Sequence, residues 1–237
     1  MVIALDVNGI ESGYGEVQIL WGLSMKLEEG RLTTIVGSNG SGKTTLLRAI
    51  TGLIPVWKGS VTFGGKDVTR VSPHRKAQMG LVLVPEARQL FTDMTVLENL
   101  EMGATPARAR AEYRQNLEWV FDLLPRLKER VNQTAGTLSG GEQQMLAIAR
   151  GLMSKPKILM FDELSLGLSP VMVMNVFEVI RKLKQQQLTM LLVEQNVQMA
   201  LAISDYAYVM SNGRIDIQGE AKQVRQMDAV RKAYLGL

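Results

Sequence analysis

Nine consecutive residues, Gly37-Ser38-Asn39-Gly40-Ser41-Gly42-Lys43-Thr44-Thr45, have the types and spacing of a phosphate cradle. Gly37, Gly40 and Gly42 let the backbone turn tightly and approach a ligand with no Cβ in the way, so successive N–H groups aim at phosphate oxygens. Lys43 is a mobile point charge suited to β- and γ-phosphates, and Thr44 offers a hydroxyl to Mg²⁺. A helix starting there adds its positive end. Three further places carry groups that do chemistry. Asp162-Glu163 closes the apolar run Ile158-Leu159-Met160-Phe161 with two carboxylates, one suited to a metal and one to a water molecule. Because neighbouring strand residues face opposite sides, the two are expected to differ in role. Glu86 ends the run Leu81-Val82-Leu83-Val84-Pro85, where α/β sheets present functional side chains. At Leu138-Ser139-Gly140-Gly141-Glu142, a capping serine and two glycines with exposed N–H groups imply a second anion site at a helix start.

The elements that position these groups follow from pattern. Leu32-Thr33-Thr34-Ile35-Val36 is apolar and β-branched, and Thr45 to Ile50 are helix formers closed by Gly52, giving strand, loop and helix. Residues 2–6 and Val17 to Leu27 read as strands. Gly13-Tyr14-Gly15 lies between them on a loop, where Tyr14 alone reads as a turn tyrosine in preference to a base-stacking one. Gly59 to Gly65 reads as a strand and turn, and Ser72-Pro73-His74 as a helix start capped by Ser72. His74, the one histidine, is expected to be an exposed turn residue. Residues 95–130 turn helical and charged, with a capping box at Thr95 and Glu98 and helical spacing from Glu118 to Leu127, as in an inserted helical subdomain. A helix follows Ser139 through Leu152, and Ser165 to Pro170 is a loop before a helix over Val171 to Gln187. Thr189 to Val193 is a strand leading into Glu194-Gln195-Asn196, Tyr206 to Met210 and Ile215 to Gln218 form a hairpin, and a short helix starts at Asp228.

A chain of 237 residues suffices for one α/β domain. With no cysteine there is neither a disulfide framework nor a thiolate metal site. The longest uninterrupted apolar runs, such as Leu81 to Val84 and Met190 to Val193, fall far short of the roughly 20 residues a spanning helix needs, so the chain is expected not to cross a membrane. Its start, Met-Val-Ile-Ala-Leu-Asp, lacks signal-peptide features, and export is not expected. The net charge of +4 comes from scattered lysines and arginines with few aromatics, which reads as a solvated surface rather than a nucleic-acid footprint.

The glycine-rich loop, Leu-Ser-Gly-Gly-Glu and Ile-Leu-Met-Phe-Asp-Glu, in this order with a helical insertion between them, resemble the ATP-binding-cassette family over essentially the whole chain. Val84-Pro85-Glu86, Thr95 to Leu100, Leu138 to Arg150, Ser165 to Pro170 and Leu191 to Asn196 look like one subgroup, the smaller ATPase subunit of branched-chain amino acid importers. Urea and short-amide importers use very similar subunits. The resemblance implies an α/β fold: a P-loop NTPase core with an antiparallel β subdomain and a helical subdomain inserted at about 87–155, all within one domain spanning 1–237. It implies ATP and Mg²⁺ as ligands. Tyr14 then stacks on adenine, reversing the turn reading. Residues Gly37, Ser38, Asn39, Gly40, Ser41, Gly42, Lys43, Thr44 and Thr45 hold the phosphates, with Thr44, Asp162 and Glu86 at the metal. Glu163 polarises the attacking water, with Gln195 and Glu86 beside it. Leu138, Ser139, Gly140, Gly141 and Glu142 form a signature that meets ATP bound to the opposite protomer, and Ser165, Leu166, Gly167 and Leu168 line the interface.

The implied partners are a second copy or a second ATPase subunit, transmembrane permease subunits touched by the segment after Glu86, and indirectly a periplasmic substrate-binding protein. No nucleic acid is expected, and the implied location is peripheral, on the cytoplasmic face of the inner membrane. Three positions depart from the broader family. Glu86 replaces glutamine and Gln195 replaces histidine, as in the subgroup. Leu164 replaces proline, which removes a fixed φ beside Glu163 and is expected to loosen that turn. Gln195 and Leu164 therefore suggest a second class of reading, a nucleotide-gated dimer switch with weak hydrolysis. A third, a cassette acting on nucleic acid or ribosomes, is not favoured, because such proteins usually carry two fused cassettes or long coiled-coil insertions and this chain has neither.

Overall fold

A computed structural model describes residues 2–235. The expected domain span of 1–237 includes residues 1, 236 and 237, which lie outside the described residues. The chain opens with a long hairpin, β1 (Ile3–Tyr14) and β2 (Val17–Glu28), followed by β3 (Leu32–Val36), α1 (Lys43–Thr51), β4 (Val56–Phe63), β5 (Lys66–Asp67), α2 (Pro73–Met79) and β6 (Leu81–Val84). Helices α3 (Val96–Gly103), α4 (Ala107–Ala111), α5 (Tyr113–Leu123), α6 (Pro125–Glu129) and α7 (Gly140–Met153) stand between β6 and β7 (Ile158–Asp162). Then come α8 (Pro170–Gln185), β8 (Thr189–Val193), α9 (Val197–Ile203), β9 (Tyr206–Ser211), β10 (Arg214–Glu220), α10 (Ala221–Val224) and α11 (Asp228–Val230).

Two sheets result. One has the order β10-β9-β3-β8-β7-β6, parallel except for the edge strand β10, and the other is antiparallel, β2-β1-β4-β5. Every residue of β3, β7 and β8 is buried, as expected of parallel strands covered on both faces. Alternation divides their side chains. Ile158, Met160, Leu191 and Val193 face a core shared with Leu46, Leu47 and Ile50 of α1 and with Leu5, Val7 and Leu23 of the antiparallel sheet. Leu159, Phe161, Met190 and Leu192 face the other way, onto Leu146 of α7, Phe177 and Ile180 of α8 and Leu201 of α9. The phosphate-loop helix is thus clamped between the two sheets.

Local signals are met at most ends. Thr95 and Ser139 each cap their helix in a complete capping box, with Glu98 and Glu142. Ser72 occupies the cap position of α2 but makes no side-chain cap bond; Pro73 sets the start instead. The single helix read through Glu118 to Leu127 is two, because Pro125 constrains Leu124 and breaks the run. Gly13 and Tyr14 belong to the end of β1 rather than to a loop, since Tyr14 pairs with Val17 across the turn at Gly15 (φ +56°). His74 is exposed, in the first turn of α2 rather than in a free turn.

Lys76 is nearly inaccessible, and its Nζ donates to Ile50 O at 2.8 Å, at the carbonyl end of α1. Burial pushes its ammonium down from 10.5 to about 8. Between those two values the unfolded chain binds more protons than the folded one, so stability should rise with pH across that window. In thermal melts from pH 7.5 to 10.5 we expect the wild type to gain on Lys76→Met as pH increases. A pH-independent difference between them would contradict this.

Candidate functional site

The loop between β3 and α1 depends on its glycines. A Cβ on Gly37 would lie 2.2 Å from Met210 O, and Gly40 (φ +77°) and Gly42 (φ +102°) take left-handed conformations. Lys43 is folded back over this loop, its Nζ donating to Gly37 O at 3.0 Å and Ser38 O at 3.1 Å. The same Nζ stands 3.4 Å from Glu163 Oε1. Thr44 Oγ1 donates to Asp162 Oδ1 at 3.0 Å. Burial, with the Glu163 and Glu86 carboxylates adding to it, raises Asp162 to about 6, while the Thr44 hydroxyl opposes the rise.

Strand order brings these groups together: β7 lies beside β8, and β8 beside β3, so their carboxyl ends converge at the loop. Asp162 is the last residue of β7, whereas Glu163 turns away with φ +48°. Strand alternation is therefore not what separates the two carboxylates; a left-handed residue does. Glu163 N donates to Val193 O at 2.9 Å, and the Gln195 side-chain amide donates to Glu163 Oε2. Lys43, Glu163 and Gln195 thus line a single cleft of about 340 Å³ with Ile19, Asn39, Gly40, Gly42, Thr44 and Thr45. Larger hollows exist, one of about 930 Å³ lined by Arg108, Lys157 and Gln187, but they contain none of these groups.

Leu164, which stands where a proline was expected, has its side chain buried in the core cluster that includes Phe177 and Ile180 of α8, so packing anchors a turn that lacks a proline's fixed φ.

The remaining site residues do not line this cleft. Tyr14 is partly exposed, its hydroxyl accepting from Arg48 Nη1 at 3.1 Å. Glu86 is exposed at the end of β6. After it, Arg88 (φ +59°) and Gln89 (φ +50°) are two successive left-handed residues. Arg88 donates to Gln143 Oε1 at 2.9 Å and Gln144 Oε1 at 3.3 Å, which ties this segment to α7. Ser139 and Gly140 are exposed, but Leu138 is buried. Gly141 is also buried, against expectation, because Met172 of α8 covers it so closely that a Cβ would fall 2.3 Å from Met172 Cε. Glu142 is held low by its bonds from the Ser139 hydroxyl and backbone, and Arg130 Nε lies 2.8 Å away. In the 165–168 loop Leu166 is 50% exposed, Gly167 takes φ +70° and Ser165 hydrogen-bonds Glu194. Sequence reasoning assigned nothing to Arg88 or Glu194; a charged residue just past a buried strand was the available signal.

A family model described as ABC transporter matches residues 20–165. The chain belongs to the ABC transporter family. It is 41% identical over 232 residues to the high-affinity branched-chain amino acid transport ATP-binding protein BraG of Pseudomonas aeruginosa, covering 98% of this chain and 99% of that protein. With the probable branched-chain amino acid transport ATP-binding protein LivF of Archaeoglobus fulgidus it shares 38% identity over 229 residues, 96% and 97% of the two chains. An ATP-binding cassette of an ABC transporter, crystallised in its ADP conformation, superposes with a TM-score of 0.86 at 31% identity over 100% of both chains. The α/β cassette fold expected from the motifs is the fold found. No helix among the described residues is long and apolar enough to cross a membrane.

Proposed function

We propose that this chain is the ATP-binding and ATP-hydrolysing subunit of an ABC importer for branched-chain amino acids. The observation that carries the reading is the convergence of Lys43, Glu163 and Gln195 on one cleft beside the glycine-rich loop. In this reading the loop N–H groups and Lys43 bind the β- and γ-phosphates, and Tyr14 stacks on adenine. Glu163 accepts the proton of the attacking water or orients it, and Gln195 donates a neutral hydrogen bond to the γ-phosphate.

A divalent cation fits the residues present. Thr44 and Asp162 offer hard oxygen donors 3.0 Å apart, and Asp162 sits among carboxylates whose mutual repulsion a dication would offset. Thr44, Asp162 and Glu86 would hold Mg²⁺, which when bound supplies neutralisation of charge on the β- and γ-phosphate oxygens.

Residues Leu138 to Glu142 do not line the cleft within one chain. For the signature to reach the same nucleotide it must come from a second chain, a copy of this one or a related ATPase subunit, with the 165–168 loop between them. The helices of about 87–155 form the subdomain that carries the signature, and Arg88 links the segment after Glu86 to it. That segment is the contact for transmembrane permease subunits, which places the chain on the cytoplasmic face of the membrane, with a periplasmic solute-binding protein engaged only indirectly. The solute rests on the named transport roles of the relatives. Deleting the coding gene should abolish high-affinity uptake of labelled leucine and leave urea uptake intact; the reverse pattern would favour the urea and short-amide importers.

A further inference from the structure

Glu194 has no place in the function proposed above, yet it is 0% exposed. An enclosed carboxylate is costly unless its oxygens are satisfied, and an apolar side chain would avoid the cost at this position. Its partners are hydrogen-bond donors, all from the site. Ser165 N donates to Oε1 at 3.0 Å, Ser165 Oγ donates to Oε2 at 2.6 Å, and the backbone N–H of Gln195 donates to Oε2 at 3.3 Å. Glu194 N itself donates to Ile35 O at 3.4 Å, in the strand that feeds the phosphate loop.

These bonds close a ring. From Glu163 the chain runs through Leu164 to Ser165; Ser165 is bonded to Glu194; Glu194 is bonded to the backbone of Gln195; and the Gln195 amide returns to Glu163. Short cyclic paths of this kind leave little independent freedom, so a displacement of Ser165 must move Gln195 and Glu163 as well. Ser165 also begins the 165–168 loop, whose Leu166 presents an exposed apolar side chain. Beyond that loop, Ser169 caps α8, and Met172 in its first turn covers Gly141 of the signature helix.

We propose that Glu194 is a positioning residue: its carboxylate ties Ser165 of the exposed loop to Gln195, so that a second chain docking on that loop sets the geometry of Glu163 and Gln195 and with it the rate of ATP cleavage. The proposal rests on the reading that two chains enclose the nucleotide. Burial raises the Glu194 carboxyl above its ordinary value, with the Glu163 charge adding to the rise and the Ser165 and Gln195 donors opposing it.

The test compares Glu194→Gln, Ser165→Ala and the double variant by steady-state kinetics and by ATP and ADP titration. Whichever way the new amide of Glu194→Gln turns, one backbone N–H, of Ser165 or of Gln195, loses its acceptor. Misplacement of catalytic groups by this means should lower kcat roughly 10- to 100-fold. The Kd for ADP should stay within about twofold, because the glycine-rich loop and Lys43 are untouched, and the affinity for ATP should fall by no more than the single Gln195 bond to the γ-phosphate. Ser165→Ala deletes one bond of the ring at a half-buried serine and tests the same link should Glu194→Gln not fold. The double variant should be no slower than the slower single one, as expected for two residues acting through one connection. An unchanged kcat in both single variants, or losses that multiply in the double, would overturn the proposal. ATP-driven dimerisation of Glu163→Gln is measured alongside; its absence would remove the two-chain reading itself, a separate failure.

Discussion

Glu163→Gln should lower ATP turnover by roughly 10² to 10⁴ while leaving ATP binding intact. The substitution keeps the side chain's size and a hydrogen-bonding head but removes its basicity. The structure specifies why this carboxylate and not its neighbour carries the effect. Glu163 turns out of β7 with φ +48°, so its head meets Lys43 at 3.4 Å and the Gln195 amide at the mouth of the cleft, whereas Asp162 is directed to the Thr44 hydroxyl. Removing the Glu163 charge also removes an anion that competes with phosphate for Lys43, so the affinity for ATP should hold or increase. Single-turnover and steady-state phosphate release measure the first effect, and calorimetric titration the second. Turnover within twofold of wild type would take Glu163 out of the chemistry.

Lys43→Met should lose ATP affinity by about 100-fold or more, since charged hydrogen bonds contribute about 1.5–3 kcal/mol each and the ammonium serves two phosphates. Methionine is chosen because Lys43 is only 3% exposed, and a long apolar side chain keeps the stem's packing. ADP affinity should fall less, as it lacks the γ-phosphate. The loop must also reorganise, since Gly37 O and Ser38 O lose the donor that spans them. Calorimetry on a variant shown to be folded by its thermal midpoint checks this, and unchanged ATP affinity would overturn the placement of the phosphates.

Much of this site was legible because its requirements are local. The glycines at 40 and 42 answer to the backbone geometry of the loop itself, and the capping boxes at Thr95 and Ser139 to a spacing of three, whereas Gly37 answers to Met210 O far along the chain. Strands β3, β7 and β8 announce themselves as short apolar and β-branched runs because both their faces are covered. The links between these pieces were not legible. That Lys43 reaches Glu163, or Glu194 reaches Ser165, depends on β8 lying between β3 and β7, an order that no local pattern encodes. Leu164 has the same limit: read locally it is a missing proline, and only the fold shows its side chain in the core. Gly141 was read as an exposed N–H because a helix start presents one, and only the packing of α8 reveals Met172 above it. Nor does the sequence show that Glu163 leaves the strand in a left-handed turn, which a non-glycine residue adopts only where its surroundings hold it.

In the proposed function one ATP is enclosed by residues 37–45 of one chain and Ser139 to Gly141 of another. A ligand that contacts both chains binds the pair better than the single chain and must shift association toward it. A protein that binds ATP without cleaving it should therefore accumulate closed. The direct measurement is light scattering during size exclusion of Glu163→Gln, with and without saturating ATP, beside the same protein carrying Ser139→Arg to obstruct the exposed signature surface. The expected result is a shift from monomer to dimer mass on adding ATP to Glu163→Gln, and no shift in the doubly substituted protein although it still binds nucleotide. A Glu163→Gln protein that remains monomeric with ATP bound, or a dimer that forms equally well with Ser139→Arg, would contradict it.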